Sequence, residues 1–222
     1  MKRILLALFL VTALGFSQEK ISKNLGDFHA LKTYRGLKVE LIKGDDPKIL
    51  IEGNRASEVV VKNVNGVLKL SLSLTHTFSA DEVMIYVYFK DKLDLIDANE
   101  GSEIYSDNVF KQERIEVRAQ EAGIIKLEVD TENVEVVSST GGNIRLQGKT
   151  KNQKVTANTG GMYKGSGLDS EYTDVSAATG GMADVHVSGS VDANANTGGI
   201  VNVSGDPSEV KKKESLGGYV RQ

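Results

Sequence analysis

The 222-residue chain has no cysteine, no excess of positive charge, and no long apolar run beyond its first residues. Without cysteine it can form no disulfide staples, and it lacks the residue that carries a lipoprotein's lipid. It is therefore expected not to be a lipoprotein, and its stability has to come from burial and ladder hydrogen bonds. A chain of about 200 residues can bury a core that suffices. A formal net charge of −3, with both signs evenly mixed, excludes the clustered basic footprint of a nucleic-acid-binding protein. The one apolar run, Ile4 to Leu14, is too short for a membrane span, which takes about 20 residues. It follows Lys2 and Arg3 and precedes the small residues Gly15 and Ser17. Residues 1–17 therefore read as a signal peptide, cleaved after Ser17 to leave Gln18 first. The expectation is an exported protein of the periplasm, the outer-membrane surface or the extracellular space, with no transmembrane segment after cleavage.

Glycine is plentiful, with 23 residues, and its placement is periodic. Thr140-Gly141-Gly142 recurs as Thr159-Gly160-Gly161, Thr179-Gly180-Gly181 and Thr197-Gly198-Gly199. The offsets are 159−140=19, 179−159=20 and 197−179=18. Leu216-Gly217-Gly218 and Ala122-Gly123 extend the series at both ends, and Gly101 is a candidate for a still earlier coil although it sits a little too far back. Alternating segments flank every corner, as in Val155-Thr156-Ala157 before it and Val201-Asn202-Val203 after it. Period-two alternation marks half-buried strands. Short strands turning at glycine corners once per coil are the pattern of a β-solenoid. The expected fold is all-β, a β-helix of six coils over residues 99–222, joined to a less regular β-rich region over 18–98. In that region Asn65-Gly66, between two apolar alternating runs, predicts a type I′ hairpin. Lys211-Lys212-Lys213 reads as a solvated turn before the last coil.

At these residues the chain resembles the bacterial family of auto-transporter adhesins with a head GIN domain. The resemblance rests on the opening Phe28 to Val39 with its strand Leu37-Lys38-Val39-Glu40-Leu41, and on the repeated glycine corners. It rests too on the close, Gly205-Asp206-Pro207-Ser208-Glu209-Val210 followed by Leu216-Gly217-Gly218. It covers nearly the whole chain after the signal peptide, although the family's corners are often Ser-Gly-Ser-Gly-like where this chain has Thr-Gly-Gly. The resemblance implies a right-handed β-helix and a binding role at the cell envelope.

The residues support no catalytic constellation, metal or cofactor. Gln147-Gly148-Lys149-Thr150 lacks the earlier glycine and the following helix of a phosphate-binding loop. His29, His76 and His186 have no ligand partner at useful spacing. Asp174 and Asp192, one coil apart, with Asp184 as another candidate, are the carboxylates a carbohydrate-active enzyme would use.

Outward-facing rows are more informative. The positions straight after the second glycines are Ile124, Asn143, Met162, Met182, Ile200 and Tyr219, and alternation places the next residue of each coil inward. Ile124, Met162, Met182, Ile200 and Tyr219 then form an external apolar stripe. It is open to packing by the N-terminal region, to another partner, or to a second copy in a homo-oligomer. Two residues further on, Lys126, Arg145 and Lys164 form a basic row suited to an anionic polysaccharide or another envelope component. The expected function is a non-catalytic, adhesin-like envelope or surface binding module. The alternatives are a self-associating structural protein using Met162, Met182 and Ile200, and a carbohydrate-active enzyme.

Overall fold

The computed structural model describes residues 20–73 and 83–222; the signal-peptide segment and His76 lie outside them. The chain is a β-solenoid of about 7 turns. The described residues hold no α-helix, and their single helical turn is a 3-10 turn over Ala56–Glu58.

Five long strands form the body: β9 (Glu103–Ala119), β10 (Ile124–Ser139), β11 (Asn143–Asn158), β12 (Met162–Ala178) and β13 (Met182–Asn196). Each bends midway, so its first half lies on one face of the solenoid and its second half on the other. The first halves pair in parallel with one another, with β14 (Ile200–Gly205), and through it with β16 (Tyr219–Arg221). This is the post-corner face. The second halves stack in the same order and end on β15 (Glu209–Ser215), making the pre-corner face. Neighbouring strands are about 4.8 Å apart, so residues one coil apart form straight rows.

Alternation turns every second side chain inward. Ile104, Ile125, Ile144, Tyr163, Ala183 and Val201 form one fully buried row in register. Val117, Val136, Val155 and Val175 form another on the opposite face. Burying a side chain of this size contributes roughly 1.5–3 kcal/mol, and the rows run the length of the stack. Tyr163 fits because Gly165 is beneath it, where a Cβ would lie 2.4 Å from its ring.

The corners are two-residue turns in which both residues have positive φ, as at Thr159 (48°) and Gly160 (71°). The second glycine has a different role. A Cβ on Gly161 would lie 2.2 Å from the carbonyl oxygen of Ser138 in the coil before. One glycine thus allows the turn, and the next lets two coils approach.

The N-terminal region belongs to the same stack. Its strands are β1 (Lys20–Asn24), β2 (Ala30–Thr33), β3 (Lys38–Lys43), β4 (Lys48–Gly53), β5 (Val59–Val64), β6 (Val67–Leu72), β7 (Val83–Phe89) and β8 (Leu95–Ala98). β2 turns into β3 through Arg35-Gly36, and β8 turns into β9 through Glu100-Gly101, both with the same pair of positive φ values. Gly101 is therefore a corner, contrary to its spacing. The interval 121−100=21 is absorbed by a register shift in which Lys126 pairs with Tyr105 and Glu128 with Val109. These corners lack the Thr-Gly-Gly signature, so the repeat pattern reveals six coils where about 7 turns exist. The predicted hairpin at Asn65-Gly66 joins β5 and β6, with φ of 51° and 75°. β3 pairs in parallel with β7 and β2 with β6; beyond β7 and β6 the pairing becomes antiparallel, in β4 with β7, β1 with β4, and β5 with β6. At the other end, Lys211-Lys212-Lys213 lies within strand β15, paired with Asp192, Ala193 and Asn194, and is not a turn.

Candidate functional site

Two faces carry the side chains able to meet a ligand. On the post-corner face Lys126, Arg145 and Lys164 are direct cross-strand neighbours. Like charges placed opposite one another destabilise a sheet unless something neutralises them. Lys126 has such a partner in Glu103, at 2.9 Å. Of the other acids nearby, Glu128 accepts from Gln147 at 3.0 Å, and Asp184, the other cross-strand neighbour of Lys164, accepts from Asn202 at 2.6 Å. Arg145 and Lys164 have no ion pair among the described residues. The row continues from Lys126 into Tyr105, Glu40 and Tyr86, so the Tyr105 ring borders the cations at one end. The Tyr105 hydroxyl donates to Glu40 at 3.0 Å. Partial burial, then this bond and the Glu40 charge, push its phenol up to about 12. Tyr105, Lys126, Arg145 and Gln147 line a groove of about 500 Å³ together with the carboxylates of Glu103, Asp107 and Glu128.

The stripe Ile124, Met162, Met182 and Ile200 is in register and half-buried, and Tyr219 ends it 53% exposed beneath the Arg221 guanidinium. Asn143 interrupts it, as the sequence indicated. The described N-terminal strands do not cover it. They prolong the same row as Glu103 and Lys38, because that region stacks end-on instead of folding back.

The pre-corner face has a larger feature that the sequence reading missed, a trough of about 690 Å³. One wall is the row Arg114, Asn133, Asn152, Tyr172, Ser190 and Glu209. The other includes Lys154, Asp174, Asp192 and Lys211, also in register. Asn152 donates to the Asn133 side chain at 3.0 Å, and Tyr172 is 45% exposed. Gln153 and Thr173 lie between the walls and belong to a buried network. Thr173 donates to Gln153 at 3.2 Å, Gln153 donates to the Tyr163 phenol, and Ser170 meets Thr173 at 2.7 Å. Burial holds the Tyr163 phenol well above its ordinary pKa. The trough therefore has a rigid floor. The signal was present as polar outward residues recurring once per coil at 133, 152 and 172, a row away from the glycines and hence overlooked.

Asp174 and Asp192 are direct neighbours, as their spacing suggested, and both are exposed. Each has a lysine on its far side, Lys154 or Lys211. Glycoside hydrolysis needs carboxyl groups flanking the scissile bond, one of them in surroundings that keep it protonated. These two project from one open surface beside cations, an arrangement suited to accepting hydrogen bonds. Asp184 is on the other face and remote from both. His186 meets Ser204 at 3.1 Å and Asp169 at 3.6 Å. Ser204 donates its proton to the Val185 carbonyl at 2.9 Å, so it is not an activated nucleophile. His29 lies 3.2 Å from Asp94 at the surface. Among the described residues no group of three or more His, Cys, Asp or Glu could hold a metal. Gln147-Gly148-Lys149-Thr150 is part of β11, and Thr150 is buried against the Thr131 hydroxyl at 3.1 Å.

Solved structures share this architecture. A protein from Bacteroides fragilis described as a "putative adhesin" has a TM-score of 0.85 at 14% identity, over 93% of this chain and 97% of its own. A second "putative adhesin", from Parabacteroides merdae, has a TM-score of 0.71 at 16% identity, over 93% and 96%. A "putative lipid binding protein" from Parabacteroides distasonis has a TM-score of 0.69 at 15% identity, over 93% and 97%. At such identities the likeness is one of fold. No curated protein matches the chain. The family described as "Putative auto-transporter adhesin, head GIN domain" matches residues 27–207, and the chain belongs to it.

Proposed function

We propose that the chain is an exported, non-catalytic, adhesin-like module of the cell envelope or surface, and that its ligand is an anionic polysaccharide. Membership of an adhesin-named family supports the surface role. The observation that carries the ligand is the Arg145 and Lys164 pair, stacked one coil apart with no ion pair among the described residues. Two stacked cations with no ion pair of their own cost a sheet stability and suit the repeating charge of a polyanion. Tyr105, the cross-strand neighbour of Lys126, offers a ring against which a sugar can pack.

The test is binding to immobilised polygalacturonate and alginate, beside a variant carrying Lys126→Glu, Arg145→Glu and Lys164→Glu. Binding should weaken as salt screens the charges and vanish in the variant. Binding that survives in the variant discards this face, and no binding to either polymer discards the ligand class. A second reading, self-association through Met162, Met182 and Ile200, is favoured by the half-buried row that no described segment covers. Light scattering that shows mass rising with concentration, and not after Met162→Lys, would favour it.

A further inference from the structure

We infer that the trough on the pre-corner face is a second binding site, for an uncharged glycan chain, separate from the cationic row. Its shape indicates a polymer. The wall from Arg114 to Glu209 crosses six neighbouring strands. Five intervals of strand spacing make it about 24 Å long, enough for several sugar residues laid along the solenoid axis. A chain in that direction meets a new side chain at every coil.

The chemistry indicates sugar. Tyr172 presents a ring 45% exposed at mid-length, and an aromatic face packs against the C–H surface of a pyranose. Asn133 and Asn152 offer amide donors and acceptors on the same wall. Asp174 and Asp192 offer carboxylate oxygens opposite, and hydroxyl-to-carboxylate bonds are stronger than neutral ones. The floor under Tyr172 is held by the Thr173, Gln153 and Tyr163 network, so little order is lost on binding.

Charge decides against a polyanion. The lining holds five carboxylates, at Glu113, Glu135, Asp174, Asp192 and Glu209, against three cations. Two of the cations are engaged, Arg114 with Glu135 at 3.0 Å and Lys211 with Glu209 at 3.3 Å. What remains is net acidic and rich in acceptors. It would repel the ligand proposed for the opposite face and accept hydroxyls from a neutral one.

Laminarin, mannan and xyloglucan, titrated calorimetrically into the full chain, test this. At least one should bind with an affinity indifferent to salt. Tyr172→Ala should weaken it about 3- to 10-fold, Tyr172→Phe should leave it unchanged, and the pair Asp174→Asn with Asp192→Asn should weaken it as well. Tyr172 is exposed, so these variants fold, and unaltered circular dichroism checks that. Polygalacturonate binding should ignore all of them and respond to charge reversal at Arg145 and Lys164, so either site can fail without the other. Binding of none of the three neutral polymers, or binding that Tyr172→Ala leaves intact, overturns the inference.

Discussion

The corner at Thr159-Gly160-Gly161 permits a graded test of why the repeat has its sequence. At Gly161 an added Cβ would lie 2.2 Å from the Ser138 oxygen, 2.4 Å from its carbon and 2.8 Å from the Ser139 nitrogen. That is roughly 1 Å short of ordinary contact. Relief requires the coils to separate, yet Met162 donates to Gly142 at 2.8 Å and Met182 to Gly161 at 2.9 Å. Gly161→Ala should therefore cost about 3 kcal/mol or more, the upper end of overpacking. Gly160 has φ of 71° and nothing within 4 Å of its Cβ position, so Gly160→Ala should cost only the left-handed penalty, about 1–2 kcal/mol. Thr159 has φ of 48°, a strained conformation for a β-branched residue. Thr159→Asn should stabilise by about 0.5–1 kcal/mol. In urea, with a slope of about 2 kcal/mol/M, the midpoint should be highest for Thr159→Asn, lower for the unaltered chain, lower again for Gly160→Ala and lowest for Gly161→Ala. A Gly161→Ala midpoint no lower than that of Gly160→Ala refutes the close-approach explanation.

The last coil is also expected to protect the open end of the stack. Lys212 and Glu214 occupy the inward positions held by Ala193 and Ala195 one coil earlier, and both are exposed. Inward charges on an edge strand oppose end-to-end pairing, so Lys212→Val with Glu214→Ala should raise the mass seen by sedimentation at high protein concentration. A double variant that stays at wild-type mass contradicts this role. Alkali should destabilise the fold. The Tyr105 phenol is raised from 10.0 to about 12 in the folded chain. Stability from this group is thus complete below pH 10 and lost as pH rises through the interval up to about 12. The buried Tyr163 acts in the same direction, so Tyr163→Phe should flatten the alkaline limb of a urea-midpoint-against-pH curve. An unchanged limb would show that Tyr163 does not contribute to it.

The solenoid was legible where the glycine corners repeat, because close coil contact forces glycine at a fixed interval and alternation exposes the strand faces. It was hidden where another residue meets the same demand. Arg35-Gly36 and Glu100-Gly101 make the same turn with no second glycine after them, and the bulge after Tyr105 disturbs the period. The row Lys126, Arg145 and Lys164 was legible because it lies at a constant offset from the corners. The pairing of Lys126 with Glu103, and the row's extension into Tyr105, Glu40 and Tyr86, depend on register with the strands before β10, which no local pattern encodes. The trough was hidden for a related reason. Its walls are outward positions two apart on each strand, such as Asn152 and Lys154, and they become rows only when the coils stack in register.

That stacked rows read a polymer is tested most directly by a length series of oligogalacturonides titrated against the chain. Affinity should rise with each added sugar until the ligand spans Lys126 to Lys164, and then level off. An affinity the same for the shortest and the longest oligomer would contradict a surface built to read repeats.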